Sequence, residues 1–392
     1  MYHFIRAAST GNGAAIIPLS NTAGKGLAPV GQFRGMSAFG ALDVAGNARE
    51  WCQNANGNDR LILGGAWNDP AYMFYLAYHL DPFDRSPTNG FRVARYEDES
   101  AAALEAPVEE RLRNFATERP VSDELFAAYR RSYDYDRTQL DARIEHMDTA
   151  ESWIRQRVTF TAAYGGERVI GYMFLPRIGR PPYQTVVYYP GAGAIGNALD
   201  APPGPQPNAF LTKSGRAVLF PIYKSTYERR DALAAGNWYP NASNFYREHV
   251  IMWAKDLRRA LDYLFSRPDV DTTRLAYHGN SWGGYSSGIM LAVEPRFRAA
   301  ILQCPGLAFE RPQPEVDQVN FLPRIRIPVL MVDGRYDAIF PLERSSLPMF
   351  RLLGTSPDQK KQVVVDSGHC PPTDVFVSEA LAWLDKYLGP VR

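Results

Sequence analysis

The sequence predicts an α/β fold, a mostly parallel sheet with helices on both faces, entered through an antiparallel hairpin and preceded by a small irregular module. Three observations carry this. From residue 185 onward short apolar runs alternate with helical patterns; two β-rich segments around 165 and 166 are joined by Gly-Gly; and the first 96 residues are a different text, rich in Gly, Asn and aromatics.

Within that first stretch, short apolar pieces such as LILGGAW and GFRVARY stand between turn-forming residues, as expected of a loop-rich module. A charged, Ala-rich connector, EDESAAALEAPVEERLR, follows. At 392 residues the chain exceeds the usual single-core size. The expected division is therefore 1–97 for the module, 98–121 for the connector and 122–392 for the main domain. After Ser122, an N-cap residue, DELFAAYRRSYDYD reads as a helix. RQRVTFTAAY and RVIGYMFLP form the hairpin. The runs TVVYYP, AVLFPIY, RLAYHG, AAILQCPG, PVLMVDG and QVVVDSG are the buried-strand candidates. The clearest helix lies over 247–266, where Val250, Trp253, Ala254, Leu257, Leu261, Leu264 and Phe265 share one face.

A net charge of +1, with no block of like charges, gives no sign of a nucleic-acid or membrane-surface partner. Three cysteines are too few and too scattered for a disulfide framework or a zinc site, so they are expected to be thiols. The first residues lack the basic and apolar runs of a signal peptide, and no apolar run approaches the roughly 18 residues of a membrane span. As written, the chain is expected in the cytoplasm; a longer parent protein would leave the compartment open.

Gly279-Asn280-Ser281-Trp282-Gly283 spells G-x-S-x-G, a pattern expected by chance about 0.1 times in a chain this rich in glycine. It follows the strand run RLAYHG and precedes SWGGYSSGIMLAV, small and apolar enough for a buried helix. That is the strand, sharp turn and helix of a nucleophile elbow, with Ser281 forced outward. A serine hydroxyl needs a base. Only His369 follows Ser281 among the six histidines, in a loop just past QVVVD. The histidine needs a carboxylate to fix its tautomer, and Asp333 and Asp337 directly follow a strand-like run. Asp337, beyond the glycine turn, is preferred; Asp333, still on the strand end, is the alternative.

With GNSWGG, DGRYDAIFP, SGHC and YYPGAGA in place, residues from about 122 to 390 resemble an α/β-hydrolase of the dienelactone hydrolase and acetyl-xylan-esterase-like group. The resemblance implies an oxyanion hole made by the backbone N–H groups of Trp282 and Ala192, and catalysis without a cofactor. Pro190 departs from the histidine many members carry there. Between Ile195 and Arg247 an aromatic segment contributes Trp238, Tyr239, Phe245 and Tyr246, which either line an acyl or alcohol pocket or pack on the sheet.

The stretch APVGQFRGMSAFGALDVAGNAREWC, then RLILGGAW and GFRVAR, resembles the C-terminal part of the formylglycine-generating-enzyme/sulfatase-modifying-factor family, a C-type-lectin-like variant fold. No cysteine follows GGAW, so copper-thiolate oxidase chemistry is not expected. The resemblance implies a structural calcium held by the Asp43 and Glu50 side chains and the Gly46 and Ala48 carbonyls; the alternative is a turn in which Asp43 caps backbone N–H groups. About a third of such a domain cannot easily bury its own core, which leaves homo-oligomerisation through the module open.

The expected function is a serine esterase that cleaves small to medium carboxylic esters through an acyl-enzyme. A peptidase or thioesterase would use the same triad, and a binding or regulatory module with residual hydrolase activity is the reading from a different class.

Overall fold

Apolar alternation and glycine turns build two sheets in the chain. A computed structural model describes residues 17, 19–22, 25–69, 74, 78–93, 95, 106–108, 113–195, 208–231, 233 and 239–391. Two units emerge, Met1–Arg111 and Leu112–Arg392.

Among the described residues the first unit holds four short strands, β1 (Arg49–Asn56), β2 (Asp59–Leu63), β3 (Tyr78–Leu80) and β4 (Asn89–Phe91), in the order β3-β2-β1-β4. Gly57, at φ +58, opens the two-residue turn between β1 and β2, where a side chain would be strained. Arg49 pairs with Asp69 at 2.5 Å, and Asp69 also accepts the Ala66 N–H at 2.7 Å. Side chain-to-backbone bonds of this kind hold the long irregular segments that the composition announces.

Among the described residues the second unit is built on nine strands: β5 (Arg143–Thr149), β6 (Trp153–Thr161), β7 (Arg168–Pro176), β8 (Tyr183–Tyr189), β9 (Ala217–Ile222), β10 (Val270–Asn280), β11 (Ala299–Gln303), β12 (Val329–Gly334) and β13 (Lys360–Val365). Their order is β13-β12-β11-β10-β8-β9-β7-β6-β5. Strands β8 to β13 pair in parallel, and β5, β6 and β7 are antiparallel additions. The chain passes from β8 to β9 on one side and then to β10 on the other. That reversal opens a crevice at the carboxyl ends of β8 and β10, the place where open α/β sheets bind ligands.

Period-two alternation splits the core into two layers. Val187, Tyr189, Val329 and Met331 join one layer, with α3 (Asn244–Phe265) and α4 (Trp282–Val293) packed on it. Val186, Tyr188, Leu330 and Val332 join the other, beneath α2 (Ala209–Lys213) and α6 (Thr373–Leu388). Two smaller helices are α1 (Asp123–Arg130), capped by Ser122 as its sequence announces, and α5 (Leu347–Leu352). Along α3, Val250, Trp253, Ala254, Leu257, Leu261 and Leu264 are buried as the periodicity predicts. Phe265 is not: it is 47% exposed, the last residue of the helix, with the Arg296 guanidinium 5.2 Å from its ring. Among the described residues no helix is long and apolar enough to cross a membrane.

Candidate active site

Strand β10 delivers Ser281 at its carboxyl end, and α4 begins at the next residue. Ser281 sits at φ +51, ψ −103, a conformation an L-residue holds only when its surroundings enforce it. The flanking glycines make this turn possible. A Cβ on Gly279 would overlap the Gly283 carbonyl, and one on Gly283 would overlap the carbonyl of Tyr189. The turn is then fastened by Ser281 N–H donating to the Gln303 carbonyl at 2.8 Å and Gly283 N–H donating to the Pro190 carbonyl at 3.0 Å.

The Ser281 hydroxyl lies 2.7 Å from His369 Nε2, and His369 Nδ1 lies 2.8 Å from Asp337 Oδ2. The tautomer that satisfies both has Nδ1–H donating to the carboxylate and Nε2 accepting from the hydroxyl. Asp337 is itself fixed, because its Oδ1 accepts the N–H groups of Ile339 and Phe340 at 2.8 and 2.9 Å. His369 and Asp337 are 5% and 4% exposed, so little water competes for these bonds.

Asp333 goes elsewhere. It continues the β12 face of Val329 and Met331, fully buried, with Oδ2 accepting from Gln362 at 2.9 Å and Oδ1 without a partner among the described residues. Burial pushes its pKa up to about 7, and neighbouring Asp337 adds to the rise while Gln362 and Ser346 oppose it.

The Gly191 loop after β8 lies against the nucleophile: a Cβ placed on Gly191 would stand 3.6 Å from Ser281 Cβ. Ala192 begins a 3₁₀ turn there, and Ala194 and Ile195 N–H groups close it. Neither the Ala192 N–H nor the Trp282 N–H is taken by a protein acceptor among the described residues. The Trp282 side chain itself is core, packed edge-on against Tyr189 and Trp253.

Of the aromatic candidates, Trp238 lies outside the described residues, and Tyr239 is half-buried. Phe245 is 42% exposed, its ring over His249. Tyr246 is buried, its hydroxyl 3.3 Å from that of Tyr285 on α4 and its ring near Trp253 of its own helix, so it belongs to the core where α3 meets α4.

The expectation of three thiols is corrected. Cys304 and Cys370 form a disulfide across 66 residues, and Cys52 alone is free. Their separation hides that both follow strands at the carboxyl edge, Cys304 directly after β11 and Cys370 directly after His369. Asn280, the unnamed x of the elbow, was passed over at the sequence level. Its Oδ1 stands 3.4 and 3.8 Å from the two sulfurs.

In the first unit, Asp43 Oδ2 accepts the Gly31 N–H at 2.7 Å, and Asp43 adopts φ +57. Glu50 is held through both oxygens by Arg92, at 2.8 to 3.1 Å, and Arg92 also reaches the Leu42 carbonyl at 2.7 Å. The Gly46 N–H donates to Gly64 across the same turn, which leads through Ala48 into β1. Glu50 is thus paired with a guanidinium, and Asp43 caps a backbone N–H.

An open parallel sheet with a serine elbow at its switch point and an acid and a histidine on later loops is the α/β-hydrolase fold, and the second unit has it. Residues 8–97 match the sulfatase-modifying factor enzyme 1-like domain, and residues 242–311, from α3 through the elbow to the loop after β11, match the prolyl oligopeptidase family. No curated protein matches the chain in sequence. Among solved structures, it is similar to an acetyl xylan esterase from Paenibacillus sp. R4, with 17% identity, 69% of this chain and 96% of that chain covered, and a TM-score of 0.52. Acetyl xylan esterase 1 from Thermoanaerobacterium sp. JW/SL YS485 gives 15%, 70%, 96% and 0.53. A cold-adapted esterase from an Arctic intertidal metagenomic library gives 19%, 63%, 98% and 0.51.

Proposed function

We propose that the second unit is a serine hydrolase that cleaves small to medium carboxylic esters through an acyl-enzyme. The observation that carries this is the unbroken chain from Ser281 Oγ through the His369 ring to Asp337, at 2.7 and 2.8 Å. Ser281 attacks the acyl carbonyl while His369 Nε2 takes its proton. Asp337 stabilises the imidazolium, which then protonates the departing alcohol. A water, deprotonated by the same nitrogen, releases the acid. The Trp282 and Ala192 N–H groups are the oxyanion donors, each worth about 3 to 4 kcal/mol in comparable sites. Catalysis in this scheme uses protein groups alone.

Esters head the list because the fold neighbours carry esterase names. The match of residues 242–311 to the prolyl oligopeptidase family favours a peptidase as the second reading. A p-nitrophenyl ester series of rising acyl length, run beside peptide and thioester substrates, separates the two. Ser281→Ala should fold normally and hydrolyse the best ester at least about a thousandfold more slowly, and an organophosphonate should label Ser281 stoichiometrically. An active Ser281→Ala protein, or labelling elsewhere, would remove the proposal.

A further inference from the structure

The disulfide occupies a place where a different chemistry is latent. The sulfurs of Cys304 and Cys370 and a ring nitrogen of His369 all lie within 4.8 Å of one another. Cys304 is buried and Cys370 is exposed, so the cluster has a rigid floor and an open side. The Asn280 carbonyl oxygen stands 3.4 Å from one sulfur and 3.8 Å from the other.

We propose that the Cys304–Cys370 disulfide covers a Cys2His site for a soft divalent cation of the zinc type, formed once the bond is reduced. The inhibitory half of the proposal rests on reading His369 as the catalytic base. With a phosphine as reductant, two electrons pass from phosphorus into the S–S bond. Water supplies the oxygen of the phosphine oxide and the two protons of the thiols. The cation then displaces those protons, since it binds thiolates. Tetrahedral zinc takes sulfur at about 2.3 Å and nitrogen at about 2.0 Å, which requires the two sulfurs to part to about 3.8 Å once their bond is broken. Asn280 Oδ1 or water completes the shell. Two thiolates and an imidazole select such a cation over calcium or magnesium. Bound through Nε2, the cation displaces the Ser281 hydroxyl; bound through Nδ1, it displaces Asp337. Either way the proton relay is broken, whereas in the oxidised protein the sulfurs are no thiolate ligands.

The full chain, oxidised or reduced with a phosphine, is titrated with cadmium and followed by the thiolate-to-metal absorbance, which needs no substrate. Zinc is then titrated against ester hydrolysis. Cys52 is free in both states and cancels in the comparison. The expected result is one equivalent of metal gained only on reduction, a loss of more than about tenfold in rate at one equivalent of zinc, and recovery with a chelator. Cys304→Ser and Cys370→Ser, each judged against its own metal-free rate, should bind zinc more than about tenfold more weakly than the reduced chain. Equal cadmium absorbance in the two states overturns the site, as does a reduced chain that has lost its circular dichroism. Metal binding at full activity overturns the link to His369. An oxidised protein without esterase activity would instead fault the esterase reading, and the absorbance would still decide the site.

Discussion

Asp337 Oδ2 lies 2.8 Å from His369 Nδ1, while Asp333, four residues earlier, is buried on the β12 face against Gln362. Both carboxylates belong to one strand-and-turn segment, but only the second leaves the sheet to meet the histidine loop. Asp337→Asn should keep the fold and lower kcat by about 10³ to 10⁴, because the amide no longer selects the tautomer that accepts the serine proton. Asp333→Asn should stay within a few-fold. Steady-state kinetics on the best ester compare the two, and the reverse order would transfer the acid role to Asp333.

Asp333 makes the stability of the second unit depend on pH. Burial raises its folded pKa to about 7, above the unfolded value of about 3.9. The folded state therefore binds the extra proton between these values. The stability it lends is complete below pH about 4 and declines as pH rises through about 7. Each tenfold of proton affinity is worth about 1.4 kcal/mol, so the ceiling is on the order of 4 kcal/mol. Urea unfolding at a series of pH values should show Asp333→Asn gaining on the parent protein between pH about 4 and 7; parallel curves would show that Asp333 is ionised throughout.

Behind the β9 loop, fully buried Asp256 accepts the Tyr164 hydroxyl at 2.9 Å, the Lys224 N–H at 2.9 Å and Arg229 at 2.5 Å. Removing the carboxylate takes away the nearer of the two acids that hold the buried Arg229 guanidinium and leaves it Glu167 at 3.2 Å. Asp256→Ala is expected to cost about 3 to 5 kcal/mol, read as a lower denaturant midpoint at unchanged slope. A loss under about 1 kcal/mol would mean that Glu167 and water suffice to hold the Arg229 charge.

A calcium ion at Glu50 would have to displace Arg92, which bonds both carboxylate oxygens. Removing the guanidinium frees the carboxylate beside Asp43, so calcium should raise the Tm of Arg92→Ala more than that of the parent chain. Differential scanning fluorimetry with and without calcium reads this, and the absence of any calcium response in the variant would discard a site at Asp43 and Glu50.

The sequence alone determined the sheet, the elbow and the histidine. Strand and helix periods are local properties, so TVVYYP, PVLMVDG and the apolar face of α3 are legible from spacing. The glycines around Ser281 announce a turn because a side chain at either would meet backbone, and His369 is legible because no other histidine follows the serine. Strand β5 left less signal: five of its seven residues in a row, Arg143–Met147, are exposed, so no buried alternation marks it. Tertiary structure decided what depends on pairing across the chain. Asp333 and Asp337 share nearly the same local text, and only the direction of the pleat and the turn beyond Gly334 separates a buried acid from one that holds a histidine. Cys304 and Cys370 become partners because β11 and the loop after β13 end at the same edge of the sheet. Glu50 meets Arg92 because β4 pairs beside β1. Sequence spacing carries no information about such distances; strand order sets them.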